Sequence, residues 1–248
     1  AGIYQDTAER MVGDIDFICS KEEYPKAITV LRGFGYSEAG KYNYHFPATR
    51  HYRKLQKDND IAAIEIHSEI LRLGKYRKEF NYNSVKRDAQ LINKVWVLSY
   101  NNKLNLSIIS NQINDSGFYY KTISLRNAYD VFLFSKKTNA KDAVNALGKL
   151  TNPSNCFLAA CYTVFNETQS LEYNKTKMTN SYLNIFNSQF TNPLSTKIRH
   201  IGIHIYLFLK WRMRILVNII NDRDSRIWFV KRLTDKNRYL KLLKNCRF

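Results

Sequence analysis

The sequence predicts an α+β protein: a small mixed or antiparallel sheet with flanking helices, followed by a mostly α-helical second half. Three observations carry this expectation. RMVGDIDFICS (10–20) and IAAIEIHSEI (61–70) show the two-residue period or β-branched enrichment of strands, and HYRKLQ (51–56) is placed to pair with the latter. From Leu104 the period lengthens, and LNLSIISNQI, SLRNAYDVFLFSKK, KDAVNALGKL and SNCFLAACYTVFNE each place apolar residues three and four apart. The change falls at the polar SYNNK (99–103), which sets a boundary near residue 102 and divides the chain into units 1–102 and 103–248. A linker this short implies that the two pack together.

The elements follow in order. In the first strand Asp14 and Asp16 project from one face, whereas Ile15 and Phe17 take the other, expected to be the core side. Ser20 is a candidate cap and Pro25 suits a first helical turn. Ala27, Ile28 and Leu31 then give helical spacing up to a stop at Gly33 or Gly35. The polar KDND (57–60) between HYRKLQ and IAAIEIHSEI reads as the turn of an antiparallel hairpin. In its second arm Ile64 and Ile66 face one way, and Glu65, His67 and Glu69 the other. VWVLSY (95–100) reads as a further strand, and Pro153 with Ser154 marks a helix start. The basic segment Arg223 to Arg247 interleaves Trp228, Phe229 and Leu233 as a core-facing stripe.

The 248 residues are 44% hydrophobic, enough for a packed core, and carry a net charge of +18 with a pI near 9.7. So basic a surface points to polyanionic partners: nucleic acid, nucleotides or an anionic membrane face. Cys19, Cys156, Cys161 and Cys246 lack zinc-finger spacing with histidine and read as reduced thiols of a cytoplasmic protein. The sequons at Asn166 and Asn174 are accordingly chance matches. No signal peptide opens the chain, and a start at alanine rather than methionine suggests that residues upstream have been removed or are not included. IGIHIYLFLKWRMRILVNII (201–220) is the most membrane-like stretch. Lys210, Arg212 and Arg214 interrupt it before an uncharged run reaches the roughly 18 residues of a span. It reads as a helix docked on the protein, with contact of 198–220 to an anionic membrane surface as the alternative.

The aspartate pair is the sharpest chemical signal. Two carboxylates side by side on a strand repel each other and raise each other's pKa, so a positive group is expected between them. Mg²⁺ suits, because it takes oxygen ligands at about 2.0–2.1 Å and is often held by one or two carboxylates plus substrate phosphates. From spacing alone a solvated strand face, with Asp14 as a turn residue after Gly13, remains equally open.

The ordered set R-x-x-G-D-I-D-F-I (Arg10, Gly13, Asp14, Ile15, Asp16, Phe17, Ile18), LRGFGY (31–36) and I-E-I-H (Ile64–His67) resembles the nucleotidyltransferase superfamily typified by DNA polymerase β. Within it, the chain resembles more closely a branch of uncharacterised bacterial nucleotidyltransferase-like proteins. The likeness covers residues 3–70 well and extends more loosely to SLRNAYDVFLF (124–134), where that branch carries an aspartate, here Asp130. The resemblance implies a nucleotidyltransferase-like α/β catalytic domain over 1–102 and a helical domain over 103–248. It implies transfer of a nucleoside monophosphate from a nucleoside triphosphate to a hydroxyl. Asp14, Asp16 and Glu65 would hold two Mg²⁺ ions, with Mn²⁺ as a substitute. The implied partners are a nucleoside triphosphate and an acceptor, with RNA or another polyanion favoured by the basic surface. A catalytically silent scaffold that binds such a polyanion is the alternative. Arg10 is positioned to reach a phosphate or to form a strand-edge ion pair. Gly13 belongs to the same motif, and His67 touches substrate, supports a metal ligand, or serves only the fold. Tyr44, His45, Arg50 and Arg53 near the hairpin are compatible with base or phosphate contacts, but their spacing is not diagnostic. The superfamily also implies a glycine-containing phosphate cradle before the D-x-D strand; none is visible from Ala1 to Gly13, so it lies upstream or is missing.

Overall fold

The alternating segments around Asp14 and Glu65 become neighbours in one sheet in the computed structural model, which describes residues 3, 4, 6, 9, 13–39, 50–166 and 168–234. The first elements are β1 (Asp14–Ile18), α1 (Tyr24–Gly33), β2 (Ser37–Glu38), β3 (Leu55–Gln56) and β4 (Ala63–His67). The strands lie in the order β1-β4-β3-β2, with β1 parallel to β4 and the other pairs antiparallel, a mixed sheet. Pro25 stands in the first turn of α1, where its missing N–H costs nothing. The face of α1 bearing Ala27, Ile28 and Leu31 packs on Leu55, Ile64 and Ile66, which form the apolar layer beneath the sheet.

One expectation fails in this layer. Ile15 and Phe17 share the apolar face with Ile64 and Ile66, yet they remain 44% and 45% exposed, against 5% and 1% for their partners in β4. Among the described residues β1 is the sheet edge, and α1 covers β4 and β3.

Next come α2 (Tyr82–Arg87), β5 (Gln90–Ile92) and β6 (Val95–Val97). β5 and β6 form a separate hairpin whose loop residues Asn93 and Lys94 both have positive φ, 49° and 64°, as a two-residue turn matched to strand twist requires. Its first arm is not apparent from the sequence, and the strand expected at 95–100 ends at Val97. Ser99 instead caps α3 (Tyr100–Ile109), its side chain accepting from the Asn102 N–H. The chain continues through a π-helical turn (Ser110–Asn114), α4 (Gly117–Tyr120), α5 (Leu125–Ser135), α6 (Ala140–Asn145), α7 (Thr151–Val164), α8 (Lys177–Thr191), α9 (Pro193–Asn221) and α10 (Arg223–Thr234).

Two cores hold the helical part. Leu104, Ile108, Val131, Phe134, Val144, Phe157 and Leu158 bring α3, α5, α6 and α7 together. Ile70, Leu71, Phe80, Val85, Ile109, Ile113, Leu147 and Leu150 form the second, with Ile18 of β1 packed against it, so the sheet and the helices share buried surface. α9 is tied to the rest of the chain by Arg199 to the Tyr120 carbonyl, Lys210 to the Tyr119 hydroxyl and Arg214 to the Arg72 carbonyl, and it buries Ile215, while Leu194, Ile198, Ile201, Ile205 and Leu209 stay exposed. Among the described residues no helix is long and apolar enough to cross a membrane. Trp228 is buried as its stripe implied, Leu233 is half exposed, and residues 235–248 lie outside the described part.

Candidate functional site

The parallel register of β1 and β4 sets Asp16 opposite Glu65 and Ile18 opposite His67, so the polar faces of both strands coincide. His67 reaches diagonally across: its Nε2–H donates to Asp16 Oδ1 at 3.0 Å, and Glu65 Oε2 lies 3.6 Å from the same nitrogen. Ligand atoms of Asp16, Glu65 and His67 all fall within 4.8 Å of one another. Burial of His67 fixes its ring on this face, while the Asp16 side chain is 69% exposed and faces outward at the sheet edge. The His67 hydrogen bond holds the Asp16 carboxyl below the usual carboxylate range. Partial desolvation opposes this, and the charges of His67, Arg50 and His51 reinforce it.

Asp14 takes a different partner. Lys54 Nζ lies 2.8 Å from Asp14 Oδ2 and 3.8 Å from Glu65 Oε1, so an ammonium sits between two of the three carboxylates. Sequence reasoning missed Lys54 and its neighbour His51, which contacts Glu65 at 4.0 Å and whose ring lies tilted against that of His67 with centroids 5.1 Å apart. The reason is a bulge. His51 bridges His67 while Leu55 pairs with Ile64, so four steps on one strand oppose three on the other. The extra residue lets His51 and Lys54, three apart, share the polar face, which strict alternation forbids. The signal available was the density of cations in HYRK.

Arg53 is committed elsewhere: Arg53 Nη1 donates to Glu38 at 2.6 Å, beside Arg32 at 2.9 Å. Arg50 lies near enough to Asp16 and Glu65 for their charges to act on it, while burial holds its guanidinium below the ordinary range. Gly13 is exposed at the start of β1, with open space where a Cβ would stand. Arg10, Tyr44 and His45 lie outside the described residues. The structure thus gathers Asp16, Glu65 and His67 closely, with Asp14 alongside through Lys54.

Two carboxylate oxygens and an imidazole nitrogen so close together form a donor set that fits a divalent cation, and the oxygens suit Mg²⁺ or Mn²⁺. A family model described as "Uncharacterised nucleotidyltransferase" matches residues 1–166 of the 248, and the chain belongs to that family. No curated protein and no solved structure matches the chain.

Proposed function

We propose that this protein is a cytoplasmic, Mg²⁺-dependent nucleotidyltransferase that moves a nucleoside monophosphate from a nucleoside triphosphate to a hydroxyl of an acceptor, releasing pyrophosphate. The observation that carries this reading is the convergence of Asp16, Glu65 and His67 within 4.8 Å on adjoining strands of a nucleotidyltransferase-family chain.

Asp14, Asp16 and Glu65 would hold two Mg²⁺ ions, or Mn²⁺ in their place. When bound, such a pair neutralises charge on the attacking and leaving oxygens of an in-line displacement. His67 orients the Asp16 carboxylate through its 3.0 Å hydrogen bond and keeps it ionised. Lys54 neutralises Asp14 and Glu65, and a long flexible side chain can swing from them to a phosphate oxygen as substrate enters. Gly13, with no side chain to obstruct the approach to β1, leaves room for substrate, and Arg10 is assigned to a phosphate. Residues 1–102 act as the catalytic unit, with 103–248 packed on it as the acceptor-side unit.

Isothermal titration with Mg²⁺ and each nucleoside triphosphate tests the reading. Wild-type protein should bind both, and Asp14→Asn/Asp16→Asn should bind Mg²⁺ far more weakly. Equal binding by the two proteins removes the metal centre.

Lys54 supports a second reading, in which the ammonium and the two histidines replace metal and the chain is a silent scaffold for RNA or another polyanion. RNA binding that weakens with salt yet ignores Mg²⁺ and the aspartate substitutions would select it.

A further inference from the structure

Just past the carboxylate face the chain turns at residues 70–74, and three consecutive carbonyls of that turn each accept from a different arginine. Arg50 Nη1 donates to the Ile70 carbonyl at 3.0 Å, Arg77 Nε to Leu71 at 3.1 Å, and Arg214 Nη1 to Arg72 at 3.4 Å. Asn114 pins the same turn, its Nδ2 donating to the Ile70 carbonyl at 3.2 Å and its Oδ1 accepting from the Arg72 N–H at 3.0 Å. The three guanidinium groups come from the segment before β3, the turn after β4, and α9. Arg72 adds a fourth, exposed beside them.

Capping carbonyls is a structural job, and one of the five N–H donors of each guanidinium suffices for it. Three further facts exceed that job. Arg72 stands in the group without a carbonyl contact to explain it, close enough for its charge to act on Arg50 and Arg214. Asp16 and Glu65 answer the charge of Arg50 from the carboxylate face. The other carboxylates nearby are Glu69, shared by Lys21 at 3.1 Å and Arg77 at 3.8 Å, and Asp115, near Arg50 and Arg72. Arg72, Arg77, Arg214 and Lys21 against those two acids leave a local positive surplus at the far end of the group. Like charges packed this closely repel, and burial, with the charges of Arg77 and Arg72, holds the Arg214 guanidinium below its ordinary range. An arrangement that is strained alone is relieved by a multivalent anion, for which forked guanidinium groups are the best-matched donors. The group also begins at the carboxylate face: Arg50 precedes His51, which bridges His67, whose Nε2 is 3.0 Å from Asp16.

We propose that Arg50, Arg72, Arg77 and Arg214 form a phosphate-binding site adjoining the carboxylate face, an inference that rests on reading that face as a nucleotidyltransferase centre. Arg50 is the end nearest the carboxylates and Arg214 the far end. The phosphates come from the triphosphate tail of the nucleotide or from the backbone of a polyanionic acceptor. Arg214 lies beyond the family-matched residues 1–166, so α9 supplies part of this site from outside the shared domain.

The test uses the full chain in EDTA, titrated with inorganic triphosphate and separately with a short labelled single-stranded RNA. Arg77→Ala, Arg214→Ala and Arg72→Gln should each weaken binding about tenfold or more, the scale of one hydrogen bond to a charged group, and flatten the salt dependence. Arg72→Gln leaves all three carbonyl contacts intact, so its loss of binding cannot come from a disrupted turn. Asp16→Asn should bind both probes at least as well as wild type. Weakening for triphosphate alone assigns the nucleotide tail; weakening for RNA alone assigns the acceptor. Wild-type affinity in Arg72→Gln and Arg214→Ala, or no binding of either probe by the wild type, overturns the site. Transfer of label from an α-labelled nucleoside triphosphate is followed in parallel. Arginine-dependent binding without transfer keeps the site and rejects the enzyme, whereas transfer with arginine-independent binding rejects the site alone.

Discussion

β1 and β4 carry the same alternation, lie in parallel register and point acidic residues to one face and apolar residues to the other, yet they do different work. β4 sits inside the sheet, flanked by β1 and β3 and covered by α1, and its isoleucines are sealed. β1 borders the sheet, its apolar side chains stay half exposed, and its aspartates stand where a ligand can reach them. Period two determines which face a residue takes; position in the sheet determines how deeply it is buried. The edge strand therefore leaves its aspartates open to solvent, while the inner strand seals its isoleucines and holds Glu65 and His67 beside them.

Substitutions on the two strands should separate these roles. The largest expected effect is on catalysis: Asp16→Asn should lower label transfer by at least about a hundredfold, the upper end of what supporting groups around a metal lose, with little change in the urea midpoint. A matching loss of stability would mean that Asp16 belongs to the frame. Next, Ile66→Ala should destabilise the fold by about 2–5 kcal/mol through lost burial and the cavity left behind. Chemical denaturation measures it, and a near-neutral result would break the contrast.

A buried carboxyl sharpens it. Asp130, in the helical core and hydrogen-bonded by Tyr4, is pushed up to about 6 by burial, the opposite of Asp16. A folded-state pKa above the unfolded one contributes stability that is complete below about 4 and is lost as pH rises through about 6. Wild type should therefore lose about 1–3 kcal/mol across that window relative to Asp130→Asn, read from urea midpoints at pH 4, 5, 6 and 7. Parallel pH profiles for the two proteins would show that burial does not perturb the group. The smallest effect belongs to Ile15→Ala, at about 1–2 kcal/mol, because roughly half its surface is already in water. A cost equal to that of Ile66→Ala would show that the edge is covered in solution.

Much of the site was legible because it rests on local rules. Alternation put Glu65 and His67 on one face of one strand and Asp14 and Asp16 on one face of another. What escaped were features that break the local period. The bulge between His51 and Leu55 rotates Lys54 onto the carboxylate face, and no count by twos finds it. The hairpin at Asn93 and Lys94 uses positive φ without the glycine that usually announces such a turn. Ser99, part of an apparent linker, proved to be a helix cap. Arg50 and Arg53 read alike in sequence, and only the fold sends one toward Asp16 and the other to Glu38.

The sequence by itself determined the fold class, the strands that carry the acidic groups and the face each group takes, since these follow from side-chain period and backbone sterics within a few residues. Tertiary structure alone decided that β1 pairs in parallel with β4, that His67 completes the cluster with Asp16 and Glu65, and that arginines 142 positions apart, Arg72 and Arg214, meet at one turn. Those choices depend on which distant surfaces exclude water together, a quantity set by the whole folded chain.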